Sequence, residues 1–274
     1  DEQDGVSWYV PVLYLRQAKS EPLFLLKRPT HCPPNPFAKD KPACFIWREP
    51  VIRVLWERLN ASSNLSIVGP SGCGKTTLLH LIKIERDKLA SHPEVIWLPL
   101  EGWINPVDAQ LRLARALGGE KAKATDLPWL LQQRRHLLIL IDDIGQLARR
   151  KSGVDVRIWL RQLTQYPDTT IRLVTTSMKP LDEIFRADEN ESDFYSPFHH
   201  VMNNRITLEA FSDEEARQYI EETIRGTPLT LQDFSHLLNK RWVPRDLKNA
   251  CSELYDRLCQ NDWMDSGTGN TLSK

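Results

Sequence analysis

A short glycine-rich segment constrains the fold of this chain more than any other part of the sequence. Residues 69–76 read GPSGCGKT, so two glycines separated by four residues are followed by a lysine and a threonine. Glycines in such a segment let successive backbone N–H groups turn toward one anion, and a following helix adds the positive end of its dipole. The apolar run Leu65 to Val68 comes directly before the segment, and a helix is predicted directly after it. The segment is therefore predicted to be a phosphate-binding loop.

The residues of this loop are expected to hold the phosphates of a nucleotide. The expected contacts come from Gly69, Pro70, Ser71, Gly72, Cys73, Gly74, Lys75, Thr76 and Thr77. Lys75 is expected to reach the β- and γ-phosphates and to be catalytic, and the Thr76 hydroxyl to bind Mg²⁺. Cys73 is interpreted as a small filler whose backbone N–H matters more than its sulfur, although its surroundings could lower the pKa of the thiol.

A pair of acidic residues follows the strongest apolar run. Leu137 to Ile141 predicts a buried strand, and Asp142 and Asp143 stand at its carboxyl end, where ligands bind in open α/β sheets. Asp142 is expected to bind Mg²⁺ through water. Asp143 occupies the place where many NTPases have a Glu that orients the attacking water, and a shortfall of ~1 Å can lower a rate about a hundredfold. The alternative is that both carboxylates are solvated caps of the next segment.

Two weaker patterns add candidate site residues. Three hydroxyl residues, 175–177, end a predicted strand, and Thr176 is the candidate for contact with the γ-phosphate or the attacking water, with helix capping as the alternative. Pro244 and Arg245 open the last long helix. An arginine in a first helical turn opposes the helix dipole, which favours a nearby anion, although an ion pair with Asp246 or Asp233 would also explain it. The basic run 149–151 is more typical of a solvated loop than of an arginine supplied in trans.

The apolar pattern along the chain predicts the fold class. After a helix that starts at Glu49, strand-like runs alternate with helical stretches as far as Leu208, which is typical of a parallel sheet covered on both faces. Beyond Leu208 the pattern is helical, and Ser212 with Glu215 forms a capping box. We therefore predict an α/β fold: the three-layer α/β/α parallel sheet of a P-loop NTPase, followed by a small helical lid domain.

The same pattern divides the chain into five parts. Residues 1–30 are predicted to be a two-strand remnant of an upstream domain, and residues 31–48 a proline-rich linker that leads to the opening of the nucleotide pocket. The P-loop NTPase core is assigned to 49–209 and the helical lid to 210–262. A disordered polar tail is expected at 263–274. Because the chain begins at Asp1, we expect it to be a piece of a longer protein.

Composition narrows the class of function. The 36 Lys and Arg residues balance 36 Asp and Glu residues, which disfavours nucleic-acid binding but leaves a local basic patch open. No apolar run approaches the ~20 residues of a membrane helix, and the N-terminus lacks a signal-peptide pattern, so no membrane contact and a cytoplasmic location are expected. Five cysteines without close CxxC pairs are expected to be reduced thiols.

Several strings resemble the STAND NTPases, signal-transduction relatives of the AAA+ ATPases. Phe37, followed by the FIWRE string at 45–49, resembles the "NPF…FxGRE" start of these proteins, with Trp47 in place of the expected glycine. The resemblance implies that Phe45, Ile46 and Arg48 contact the bound nucleotide. It extends from Asn35 to Leu258.

The second half of the resemblance falls on the helical part. The string SPFHHV at 196–201, with RITL at 205–208 and FSDEEA at 211–216, is similar to the segment that enters the helical region of bacterial STAND proteins. Residues 244–247 (PRDL) resemble their Gly-x-Pro motif, with Trp242 replacing the glycine, and the second sensor of AAA+ proteins. One departure is Ser177-Met178, where the family has an arginine.

The resemblance implies a nucleotide switch. ADP would hold a closed, inactive arrangement, and ATP with Mg²⁺ would open the module so that it self-associates and activates an effector; slow hydrolysis would reset it. The N-terminal run Trp8 to Tyr14 resembles the closing strand of a CHAT domain, a caspase-like protease domain that bacteria join to STAND modules. This implies an upstream CHAT-like effector in bacterial signalling or defence.

Two other functions stay open from the sequence alone. An AAA+-like ATPase acting on DNA, in transposition or replication initiation, carries a similar PRDL string but would need a basic face. A nucleotide-binding scaffold without turnover would keep the loop and lose the chemistry at Asp143.

Overall fold

The predicted strands pair in one parallel sheet. The computed structural model describes residues 34–38, 48–61, 63–101, 103, 105–150, 152–185, 198–227 and 229–264. The strands of the described residues are β1 (Leu65–Val68), β2 (Glu94–Trp97), β3 (His136–Ile141), β4 (Thr170–Ser177) and β5 (Asn204–Thr207). Their order across the sheet is β2-β3-β4-β1-β5, and all four neighbouring pairs are parallel. Strand β1 therefore lies between β4 and β5.

Helices cover both faces of this sheet. One face packs against α1 (Glu49–Asn60) and α2 (Lys75–Ile84). The other packs against α3 (Pro106–Gly118), α4 (Leu127–Gln132), α5 (Gly153–Thr164) and the short helices α6 (Leu181–Ile184) and α7 (Phe198–Val201). In β3, Leu138 and Leu140 face the first layer and Leu137, Ile139 and Ile141 face the second, so a continuous apolar run is buried on both sides. The predicted three-layer α/β/α arrangement is confirmed.

The register of the strands places the polar segments at one edge. Val68 pairs with Ser177, and Ile141 pairs with Thr175. Because all these strands run in the same direction, the segments that follow β1 and β3 and the end of β4 meet at the carboxyl edge of the sheet. The fold thus brings the glycine-rich loop, the aspartate pair and the hydroxyl residues together.

The lid consists of three segments with a separate apolar core. These are α8 (Asp213–Ile224), a 3₁₀ helix (Leu231–Leu237) and α9 (Pro244–Met264). The predicted capping box of α8 is confirmed: Ser212 Oγ accepts from Glu215 N at 3.2 Å, and the Glu215 carboxylate accepts from Ser212 N at 2.8 Å. The middle segment is a 3₁₀ helix rather than an α-helix. The sequence did not predict this, because apolar spacing over two turns does not distinguish 3.0 from 3.6 residues per turn.

Residues 34–38, which precede the core in the sequence, pack against the lid. Phe37 is 1% exposed and packs against Phe234, Tyr219 and Tyr255, with ring centroids 5.6–6.5 Å apart. Asn35 Nδ2 lies 3.0 Å from Ser252 O and from Ser252 Oγ, and 2.8 Å from Asp256 Oδ1. The described part of the proline-rich linker is therefore a strap across the lid.

Some predictions lie outside the described residues. These include both strands predicted within 1–30, most of the linker and residues 265–274. Helix α9 continues to Met264, so the first residues assigned to the disordered tail are helical. Among the described helices, none has the length and apolar character needed to cross a membrane.

Removal of the Phe37 ring tests the strap. We expect Phe37→Ala to lower the free energy of unfolding by about 3–5 kcal/mol, because the lid cannot close completely over the lost ring. The measurement is equilibrium urea unfolding followed by circular dichroism. Trp129 is 62% exposed on α4, so Trp129→Ala is a control of similar chemistry and should change stability by less than about 1 kcal/mol. Equal effects of the two changes would contradict burial of Phe37 in the lid.

Candidate functional site

The loop that joins β1 to α2 lies at the carboxyl edge of the sheet. Gly69 N donates to Ser177 O at 3.2 Å, which ties the start of the loop to the end of β4. Gly72 and Gly74 have φ angles of +81° and +100°, a left-handed conformation that other residues adopt at a cost. Helix α2 begins directly afterwards at Lys75. This is the predicted geometry for a loop whose N–H groups and helix dipole receive an anion.

Lys75 is folded onto the backbone of the same loop. Its Nζ donates to Gly69 O and Pro70 O, both at 2.8 Å, and lies 3.9 Å from Cys73 Sγ. An ammonium group has three donors and no acceptor, so exchanging carbonyl partners for phosphate oxygens needs only a small movement of its tip. The Lys75 ammonium thus lies against the loop, and its predicted contact with the phosphates stays a prediction.

A chain of hydrogen bonds links α2, β3 and β4. Thr76 Oγ1 donates to Asp142 Oδ2 at 2.8 Å, and Thr176 Oγ1 donates to Asp142 Oδ1 at 2.5 Å. Thr176 Oγ1 in turn accepts from Asp143 N at 2.8 Å. Thr176 is fully buried, so its hydroxyl holds the two aspartates in place. Its predicted contact with a phosphate stays a prediction.

The oxygen atoms of Thr76 and Asp142 suit Mg²⁺. A hydroxyl and a carboxylate in direct contact are the protein ligands that this ion uses when a nucleotide supplies the remaining oxygens. Within the described residues, no group of three or more His, Cys, Asp or Glu side chains could hold a metal ion.

Asp143 has a constrained backbone and side chain. Its φ and ψ are 50° and 53°, and it precedes a 3₁₀ helix, Ile144–Arg149. Its carboxylate Oδ2 accepts from Gln146 Nε2 at 3.1 Å, and Gln146 Oε1 accepts from Arg150 Nη2 at 3.3 Å. Arg150 also donates to the carbonyls of Leu100 and Trp103, at 2.9 and 2.8 Å. The sequence pattern favoured a solvated loop at Arg150, and this expectation is wrong for its side chain.

The lid touches the loop through the start of α9. Arg245 N donates to Gly72 O at 3.2 Å, and Arg245 Nη1 donates to Ser71 Oγ at 3.4 Å. Pro244 is the first residue of this helix, and Val243 packs against the apolar layer of α1 and α2. The lid therefore contacts the loop directly through Arg245, and the predicted contact of Arg245 with a nucleotide stays a prediction.

Arg48 lies at the junction of core and lid. It is 4% exposed, and its Nη2 donates to Glu209 O at 2.7 Å. Its Nε lies 3.6 Å from Glu215 Oε1, and the guanidinium stacks over the Phe211 ring at 4.8 Å. Burial lowers the pKa of the guanidinium, and the charge of Glu215 opposes this effect. Arg48 therefore joins the lid to the end of β5, and its predicted contact with the nucleotide stays a prediction.

Four of the predicted site residues remain: Cys73, Thr77, Phe45 and Ile46. Cys73 is 1% exposed, and burial raises the pKa of its thiol, although the charge of Lys75 opposes the shift. The proposed lowering of that pKa is therefore wrong. Thr77 is half-buried on α2, next to Thr76. Phe45 and Ile46 lie outside the described residues. The contacts of Gln146 with Asp143 and of Arg48 with Glu209 and Glu215 were not predicted, because the partners are distant in the sequence or need an exact turn geometry.

A family of known proteins matches most of the chain. The family model described as Novel STAND NTPase 1 matches residues 35–242. No curated protein sequence is significantly similar to this chain.

Solved structures show the same fold at low sequence identity. The Aeropyrum pernix ORC1 protein in complex with DNA has a TM-score of 0.55 and 17% identity over 77% of this chain and 60% of that chain. The Aeropyrum pernix ORC2 protein has a TM-score of 0.58 and 15% identity, over 87% of this chain and 68% of that one. AMPPCP-bound DnaA from Aquifex aeolicus has a TM-score of 0.52 and 15% identity, over 80% of this chain and 65% of that one. This chain thus spans about 60–68% of the length of these proteins.

Gly72 tests the contact between loop and lid. A Cβ at this position would lie 2.8 Å from Arg245 Cβ. We expect Gly72→Ala to raise the Kd for nucleotide at least about tenfold, since a cost of ~1.4 kcal/mol suffices for that change. Gly226 has a similar φ of +83° with nothing within 4 Å of a Cβ, so Gly226→Ala should leave the Kd unchanged. The measurement is fluorescent-nucleotide titration, and equal weakening by both changes would count against the contact.

Proposed function

This chain belongs to the novel STAND NTPase 1 family, and on that premise we propose that it is a slowly hydrolysing ATP switch that controls self-association and an effector. The observation that carries the proposal is the direct contact of Arg245, a lid residue, with Gly72 and Ser71 of the phosphate-binding loop. A change at the phosphates would alter the position of the lid through this contact.

ATP and Mg²⁺ are the proposed ligands. The N–H groups of the loop and the Lys75 ammonium would bind the phosphates, and Thr76 with Asp142 would hold the ion. Bound Mg²⁺ would neutralise charge that develops on the phosphates. The polar chain from Thr76 to Asp143 fixes these groups before the nucleotide arrives, so little ordering is left to occur on binding.

Slow hydrolysis is proposed from the identity of Asp143. Its carboxylate follows directly after Asp142 and would orient the attacking water. Because aspartate is one methylene shorter than the glutamate found at this place in many NTPases, the water would be held less favourably. A low rate suits a switch, since the ATP state then persists long enough to act.

The strap and the buried Arg48 support the proposal that a movement of the lid would reach the effector. Asn35 and Phe37 pack on the lid, and Arg48 contacts Glu209 at the junction of core and lid and Glu215 on α8. A domain attached before residue 34 would therefore be joined to the part of the molecule that we expect to move. A CHAT-like protease domain in bacterial signalling is the effector that the sequence favours, and a cytoplasmic location goes with it.

Self-association in the ATP state is part of the same proposal. Among the solved structures with this fold, one is described as the structural basis for katanin self-assembly, with a TM-score of 0.50 and 16% identity. Size-exclusion chromatography with light scattering, in ADP and in a non-hydrolysable ATP analogue, tests the point. We expect a monomer with ADP and a larger species with the analogue. Arg245→Ala should remove this dependence on nucleotide, because the lid then loses its side-chain contact with the loop.

Action on DNA is the second candidate, since the solved structures with this fold include a DNA replication initiation factor and an ORC1 protein in complex with DNA. The balance of 36 basic and 36 acidic residues does not favour it. A gel-shift titration over a range of salt concentrations separates the two. Tight duplex binding that weakens steeply with salt would support the DNA function over the switch.

Two substitutions test the ATPase. We expect Lys75→Ala to abolish nucleotide binding, and Asp143→Ala to keep binding while lowering kcat about 10²–10⁴-fold through loss of the water-orienting carboxylate. Steady-state phosphate release and nucleotide titration measure the two effects. Asp87 is an exposed aspartate in the 3₁₀ helix Arg86–Lys88, and Asp87→Ala should behave as the wild type. A wild type that binds ATP but releases no phosphate above the buffer would instead support a scaffold without turnover.

A further inference from the structure

The Asp143 carboxylate is held by a side chain from its own turn. Gln146 lies three residues further on, within the 3₁₀ helix, and its Nε2 donates to Asp143 Oδ2 at 3.1 Å. The Asp143 backbone is also fixed, because its N–H donates to the buried Thr176 hydroxyl. With the backbone held at φ +50°, rotation of the side chain is the remaining freedom of this carboxylate.

Arg150 determines how Gln146 is oriented. An amide side chain has a donor end and an acceptor end, and an ionised carboxylate can only accept. Arg150 Nη2 donates to Gln146 Oε1, so the NH₂ group is turned toward Asp143. Arg150 is itself anchored by its two hydrogen bonds to the carbonyls of Leu100 and Trp103, in the segment after β2.

We propose that Gln146 and Arg150 are positioning residues that set the Asp143 carboxylate in the orientation needed to direct the attacking water. The proposal rests on the proposed role of Asp143 in ATP hydrolysis. Rotation of an unrestrained carboxylate moves its oxygen atoms by ~1 Å or more, a displacement that can cost about a hundredfold in rate. A short aspartate side chain cannot compensate by extending, so the restraint matters more here than for a glutamate.

The segment after β2, which includes Leu98, Leu100 and Trp103, holds Arg150 in place. Leu98 N donates to Leu140 O at 2.8 Å, which holds the start of that segment beside β3. The carbonyls of Leu100 and Trp103 then fix Arg150, and Arg150 fixes the amide of Gln146. The position of the Asp143 carboxylate thus depends on an edge strand that holds no residue of the phosphate-binding loop.

Substitution of Gln146 tests the proposal. We expect Gln146→Leu to lower kcat at least about tenfold while the Kd for ATP changes less than about twofold, because the phosphate ligands are elsewhere. Gln146→Glu keeps the size of the side chain and an acceptor for Arg150 but cannot donate to Asp143, so it should be at least as slow. Gln162, exposed on α5, supplies the matched control Gln162→Leu, with unchanged kcat. Melting temperatures verify that each variant is folded.

A double-mutant cycle separates positioning from general stabilisation. If Gln146 acts through Asp143, adding Gln146→Leu to Asp143→Ala should leave kcat as low as in Asp143→Ala alone. Arg150→Ala should behave in the same way. The proposal is wrong if Gln146→Leu lowers kcat by the same factor in the wild type and in Asp143→Ala, or if Gln146→Glu has the kcat of the wild type. If Asp143→Ala retains the wild-type kcat, the proposed role of Asp143 fails as well, whereas a slow Asp143→Ala with a normal Gln146→Leu refutes only the positioning role.

Discussion

The hydrogen-bond chain from Thr76 through Asp142 and Thr176 to Asp143 is the interaction on which the rest of the site depends. It joins a helix and two strands that are far apart in the sequence, and it brings together the Thr76 hydroxyl, the Asp142 carboxylate that we propose binds Mg²⁺, and the backbone of Asp143. Thr176 is fully buried, so water does not compete for its hydroxyl, and the bonds it makes gain strength from the low dielectric around them. The parallel order of the strands makes this chain of bonds possible, because it brings three carboxyl ends to one edge.

The lid completes this site from a separate apolar core. Its contact with the loop is small and polar, through Arg245, whereas its attachment to the rest of the chain is buried, through Arg48 and Phe37. A polar contact exposed to a ligand can exchange partners at little cost, while removal of one partner of a buried ion pair costs about 3–5 kcal/mol. The lid is therefore held firmly through Arg48 and Phe37 and weakly at the loop, which is the distribution of strength that the proposed switch requires.

Most of the fold was predictable, and the network around Asp143 was not. The continuous apolar runs predicted the strands, and the glycines predicted the conformation of the loop. Both predictions were possible because a parallel sheet and an anion-binding turn each require particular residue types. The role of Gln146 could not be predicted in this way, since glutamine is common in polar turns and its sequence position does not show which groups it contacts. Arg150 was interpreted as part of a solvated loop, yet its guanidinium is bonded to carbonyls about fifty residues away in the chain. Asn35 and Phe37 were assigned to the proline-rich linker, and their packing on the lid was not predicted, because their partners lie about 180–220 residues away in the chain.

The sequence by itself determined the family, the α/β layers and the identity of the phosphate loop and the aspartate pair. Each of these follows from residue type and spacing within one segment, where local geometry decides the outcome. The tertiary structure alone decided that Thr176 serves the aspartates, that Arg48 joins core and lid and that Arg150 fixes Gln146. These roles depend on hydrogen bonds between segments distant in the chain, and the partner of a polar side chain is chosen only when packing has brought the two segments together.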